Sequence, residues 1–142
     1  MIETVARTIL LADASIADLV GERVEFGHRP QQHPTPAIVL QDDAATTNTH
    51  LKGSTDGVER GTLRATCLAA SYTAARELKA LVLTALDKPH PDPVAGHRVT
   101  LRAPRPRPIR SDHRDGQDQP LTHGVQIDLE YRLAPAPDPA PD

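Results

Sequence analysis

Apolar residues along this chain recur with two periods, and the switches between them mark out the elements. Ile2, Val5, Ala6, Ile9 and Leu10 share one face at helical spacing, with Glu3, Arg7 and Thr8 elsewhere on the wheel, which predicts a helix over Ile2–Ala12. Asp13 or Ser15 then offers a helix cap, with Asp18 three residues after Ser15. Ile16, Leu19 and Val20 continue the helical spacing, and Gly21 supplies a stop that tolerates a left-handed backbone. Arg23–Phe26 reads as a short strand with Val24 and Phe26 on one face. Pro30, Pro34 and Pro36 fix φ and remove amide donors, so a turn must precede the apolar strand Ala37–Asp42.

Asp43–Asp56 is polar and predicts a loop, with a weak edge strand at Thr47–Leu51. In Gly57–Leu68, Leu63, Ala65 and Cys67 alternate with Arg64 and Thr66, as in a half-buried strand. Ser71 caps a helix over Tyr72–Leu86 whose buried face carries Ala75, Leu78, Val82, Ala85 and Leu86. Alternation returns at His97–Ala103, with Val99 and Leu101 opposed to Arg98, Thr100 and Arg102. Pro104–Pro120 holds four prolines among charged residues and reads as a long, mobile hairpin loop. Thr122–Leu133 alternates most regularly: Val125, Ile127, Leu129, Tyr131 and Leu133 face inward, and a one-residue slip would expose all five. The order α-β-β-(β)-β-α-β-β predicts an α+β fold, a mainly antiparallel sheet with two principal helices on one face. Residues 1–133 form one domain in this reading, and 134–142, rich in proline and aspartate, form a disordered tail.

Composition adds bounds. With 142 residues, 38% hydrophobic, and Phe26, Tyr72 and Tyr131 as the three aromatics, the core must be aliphatic and thin, which favours self-association. A net charge of −3 argues against general nucleic-acid binding. A lone cysteine excludes an intrachain disulfide and fits a reducing compartment. No apolar run is long enough to span a bilayer, and the N-terminus lacks a signal-peptide layout, so a soluble protein made in a cytoplasm is expected.

The chain offers little chemistry. His28 and His33, His90 and His97, and His113 show no HExxH or CxxC arrangement, so no metal or cofactor is expected. Cys67 falls on an apolar strand face, where a small buried hydrophobe is the commoner role than a nucleophile. Asp42–Asp43 and Asp112–Asp115 lack the ligand spacing of a calcium loop. There is no phosphate-binding glycine loop and no nucleophile elbow. No catalytic residue is assigned. The charge feature of interest is Arg102, Arg105, Arg107, Arg110 and Arg114, five arginines in thirteen residues. Arg105, Arg107 and Arg110 form a candidate interaction loop for phosphates, offset by Asp112, Asp115 and Asp118.

The ordered stretches LLADASIADLVGERVEFG, RPQQHPTPAIVLQ, LRATCLAASYTAARELKALVLTAL and HGVQIDLEYRL together resemble the tail-completion or tail-terminator family of long-tailed bacteriophages and related gene transfer agents. The resemblance spans most of Met1–Leu133; the chain departs from it in the Pro104–Pro120 loop and the acidic tail. It implies a non-enzymatic virion protein at the head–tail junction, assembled in the host cytoplasm. Such a protein forms a ring, commonly hexameric, that ends growth of the tail tube and joins it to the head connector. Its implied partners are copies of itself, the tail-tube protein and the connector or stopper protein, with passing contact to DNA and none to membrane. The alternatives are a neck or head-closure component and a nucleic-acid-binding module using the arginine loop.

Overall fold

The computed structural model describes residues 1–27, 34–48, 58–103, 109–110, 112–114 and 121–135. Helix α1 (Ile2–Ala12) ends at Asp13, whose amide donates to the Leu10 carbonyl. The same residue starts α2 (Ala14–Val20), its Oδ1 accepting from the amides of Ser15 at 2.9 Å and Ile16 at 3.2 Å. Of the two caps available, Asp13 is therefore the one used, and the helical signal before Gly21 is a separate seven-residue helix. Gly21 has φ +61°, a backbone favoured by glycine, and turns the chain into strand β1 (Val24–Phe26).

Two arginines tie this N-terminal unit down. Arg7 on α1 donates through Nε to the Val24 carbonyl at 3.3 Å. Arg23 donates to the carbonyls of Pro36 at 2.9 Å and Leu19 at 3.2 Å. The Thr35–Pro36 peptide is cis. Strand β2 (Ala37–Asn48) follows, then β3 (Glu59–Ala69) and helix α3 (Tyr72–Leu86), capped by Ser71 Oγ accepting from the Ala74 amide. Strand β4 (His97–Arg102), the two-residue strands β5 (Ile109–Arg110) and β6 (His113–Arg114), and the long β7 (Leu121–Pro135) complete the described elements.

The strands order as β1-β2-β3-β7-β4, with β5 and β6 also pairing with β7. The β1–β2 pair is parallel and all others are antiparallel, as expected of an α+β plan. The fifteen-residue β7 is the axis: Cys67, Ala65 and Leu63 of β3 lie opposite Val125, Ile127 and Leu129, while Val99 and Leu101 of β4 lie opposite Leu133 and Tyr131. Helices α1 and α3 pack against one face of this sheet. Leu78, Val82 and Leu86 of α3 are buried there, each burial stabilising by roughly 1.5–3 kcal/mol before entropy.

Four local expectations change. Asp43–Asn48 is strand rather than loop, because β3 offers a partner across a register shift; Thr49–Leu51, the rest of the expected edge strand, lie outside the described residues. Within the proline-rich segment, Ile109–Arg110 and His113–Arg114 pair with β7, since these positions are free of proline and retain their amides. Strand β7 runs two residues past Leu133, with Ala134 opposite Arg98 and Pro135 opposite His97; residues 136–142 lie outside the described residues. Val24 is buried but Phe26 is 45% exposed, and Leu19 is 44% exposed, because β1 stops at the sheet edge and α2 covers the core only with Ile16 and Val20.

Candidate functional site

The arginine loop is only partly on view. Arg105 and Arg107 lie outside the described residues, as do His28 and His33. Arg110 is placed, and it is engaged. Its guanidinium lies 4.5 Å from the centroid of the Tyr72 ring, its Nε donates to Asp112 Oδ2 at 2.7 Å, and its Nη2 is 3.4 Å from His123 Nδ1. Asp112 also accepts from the Gly124 amide at 3.3 Å. Desolvation pushes the Asp112 carboxyl up. The hydrogen bonds from Arg110 and Gly124 and the charges of Arg110 and His123 outweigh it, and the carboxyl sits below its ordinary value. This cluster holds the β5 segment onto β7 and the start of α3, so Arg110 acts first as a clasp.

The other sequence candidates resolve into structure. Cys67 is fully buried between β2 and β7, opposite Ile38 and Val125, and burial pushes its thiol up to about 12 despite the opposing charge of Lys79. The thiolate is the nucleophile, so this thiol is inert in the folded state. Two results are expected. A thiol reagent at neutral pH should label Cys67 only on unfolding, as read by mass spectrometry. Stability should hold up to about pH 9, the ordinary thiol value, and fall as pH rises toward 12, because the unfolded chain then releases a proton the folded chain retains. Rapid labelling of native protein would contradict the burial. His90 and His97 contact the backbone carbonyls of Leu86 and Ala95, which occupies each in a local turn. Among the described residues, no group of three or more His, Cys, Asp and Glu side chains could hold a metal ion, and no helix is long and apolar enough to cross a membrane.

Sequence reasoning missed two groupings. On the inner face, Tyr131 lies opposite Gly61, and its hydroxyl donates to the Asp42 carboxylate at 3.1 and 3.2 Å. Desolvation first, then the Asp42 charge and hydrogen bond, and then Glu59 and Glu3, raise this phenol above its ordinary value, so it stays neutral and donating. On the outer face, Arg60 of β3 lies directly opposite Arg132 of β7, and Arg132 opposite Thr100 of β4, between Arg98 and Arg102. All four arginines are exposed. Alternation already marked Arg98, Arg102 and Arg132 as outward. What gathers them is the strand order β3-β7-β4, which no local signal carries.

The fold has a known counterpart. A chain from the virion of a native gene transfer agent particle superposes with a TM-score of 0.60 at 20% sequence identity, covering 93% of each chain. No curated protein sequence matches. The family model described as Tail completion protein gp17 matches residues 6–133. That span takes in α1 through nearly all of β7, and the chain is therefore a member of the tail completion protein gp17 family, structural proteins of phage-type virion tails.

Proposed function

We propose that copies of this chain close into a ring, hexameric in expectation, at the head-proximal end of a tail. There the ring ends growth of the tail tube and joins the tail to the head connector. The observation that carries this reading is the family match over residues 6–133. The physical design is compatible. A ring needs a heterologous contact that closes on itself, and a sheet whose β1 and β4 each pair on one side among the described residues has two different edges to offer. The partners in this reading are neighbouring copies, the tail-tube protein and the connector or stopper protein. No catalytic step is involved, in keeping with the buried, high-pKa thiol of Cys67.

Mass measurement in solution, combined with negative-stain imaging of tail tubes incubated with the protein, tests it. The expected result is a closed oligomer, in solution or at one end of each tube. A protein that stays monomeric and never decorates tubes would overturn the reading. Binding to the isolated connector and not to the tube would favour a head-closure role instead. A nucleic-acid module built on Arg105, Arg107 and Arg110 is the weaker alternative, because the Arg110 guanidinium is already committed to Tyr72 and Asp112.

A further inference from the structure

The two ends of the sheet carry opposite chemistry. Toward the β4 end, Arg98 and Arg102 of β4, Arg132 of β7 and, on the central strand β3, Arg60 are exposed and form no ion pair among the described residues; Glu130, opposite Arg102, is the carboxylate set among them. Arg64 is different, paired with Asp128 at 3.1 Å. Like charges placed directly opposite each other across strands are destabilising, as with Arg60 and Arg132, so the cluster calls for an anionic counterpart. Beside it, β4 and the turn after α3 enclose an open groove of about 460 Å³, lined by Pro89, His90, Pro91, Val99, Leu101 and Arg102. Its lining combines these apolar side chains with two cations, Lys88 and Arg102, and one carboxylate, Asp87.

The β1 end is the complement. Asp18 and Glu22 are exposed there, beside the exposed side chains of Leu19 and Phe26. Among the described residues, the cations of that end are Arg7 and Arg23, and both direct their guanidiniums to backbone carbonyls. Large exposed apolar side chains rimmed by charge are a usual mark of a contact surface. Four inter-strand spacings, about 19 Å, separate the two ends. They are different surfaces on opposite sides of one subunit, so a contact between them repeats head to tail.

We propose that the β4 end of one copy receives the β1 end of the next, with Leu19 and Phe26 seated in the groove beside β4 and Asp18 and Glu22 facing the arginine cluster. This rests on the ring reading above and names the surfaces that build it. The apolar pair supplies affinity by leaving water, and the charges set polarity and register and reject contacts between like ends. Assembly is accordingly weakened by salt.

Charge exchange tests the contact. One chain carries R98E and R102E, a second carries D18R and E22R, and a third carries all four; circular dichroism verifies folding and sedimentation reads assembly. Each pair alone is expected to weaken association by about 100-fold, since it sets like charges against each other at the interface. The four-fold exchange, or an equal mixture of the first two chains, restores it. Assembly of either two-residue variant at wild-type strength, or loss without rescue, overturns the proposal while leaving the ring intact. If R98E/R102E assembles normally but loses salt-sensitive affinity for a DNA duplex, the cluster serves nucleic acid and the proposal falls. A wild-type chain that does not assemble, even on tail tubes, removes the ring reading itself.

Discussion

Leu129→Asp is expected to leave no folded, soluble protein. Leu129 is fully buried at the middle of β7, opposite Leu63 of β3, inside the main core cluster. A carboxylate placed there has no cation or donor facing it from these apolar neighbours. Its burial without compensation costs several kcal/mol, and the lost leucine adds a transfer and cavity cost of about 2–5 kcal/mol. Together these consume most of the roughly 5–15 kcal/mol that holds a domain folded. The soluble fraction after expression and the far-UV circular dichroism of any recovered protein check it. Asp128→Asn, one residue away on the outer face, is the control: it loses only an exposed pair with Arg64 and should unfold within about 1 kcal/mol of wild type. A soluble Leu129→Asp protein with near-native melting would mean that the inward face of β7 has been assigned to the wrong set of residues.

Gly61→Ala is expected to destabilise by about 1–3 kcal/mol, a large effect for one methyl group. The backbone at Gly61 needs no left-handed conformation; the constraint is space. A Cβ there would sit 2.9 Å from the Tyr131 hydroxyl and 3.0 Å from Cε1 of its ring. That ring is held on one side by burial and on the other by the hydrogen bonds to Asp42, so it cannot swing aside without giving up both. Chemical denaturation of Gly61→Ala, Tyr131→Phe and the double variant separates the two causes. Tyr131→Phe alone should cost about 1–3 kcal/mol, because Asp42 loses a donor. The double variant should cost less than the sum, since the clash and the hydrogen bond involve one ring. Strict additivity would show that Gly61 and Tyr131 do not communicate, against the geometry.

Much of the fold was legible because local chemistry and burial agree. The α3 bounds, Tyr72–Leu86, follow from the Ser71 cap, one apolar face and the proline beyond the helix end. The inward face of β7 follows from five alternating apolar residues that a slip would expose. Less legible were segments whose state depends on a distant partner. Asp43–Asn48 has loop-like composition and becomes strand only because β3 pairs with it. Phe26 alternates like a core residue but lies where β1 ends, and exposure follows. The candidate arginine loop shows the same limit: composition marked Arg110 as part of a basic interaction loop offset by nearby aspartates, whereas Tyr72, thirty-eight positions away, also meets its guanidinium.

By itself, the sequence determined the bounds of α1 and α3 and the inward faces of α3, β3, β4 and β7, because caps, prolines and hydrophobic period act over a few residues. It also carried the family signal, which is an order of such local elements. Tertiary structure alone decided which strands are neighbours. That choice is made by long-range pairing, and it sets Arg60, Arg98, Arg102 and Arg132 on one outer surface, Tyr131 against Gly61 and Asp42, and the acidic β1 end across the sheet from the basic β4 end.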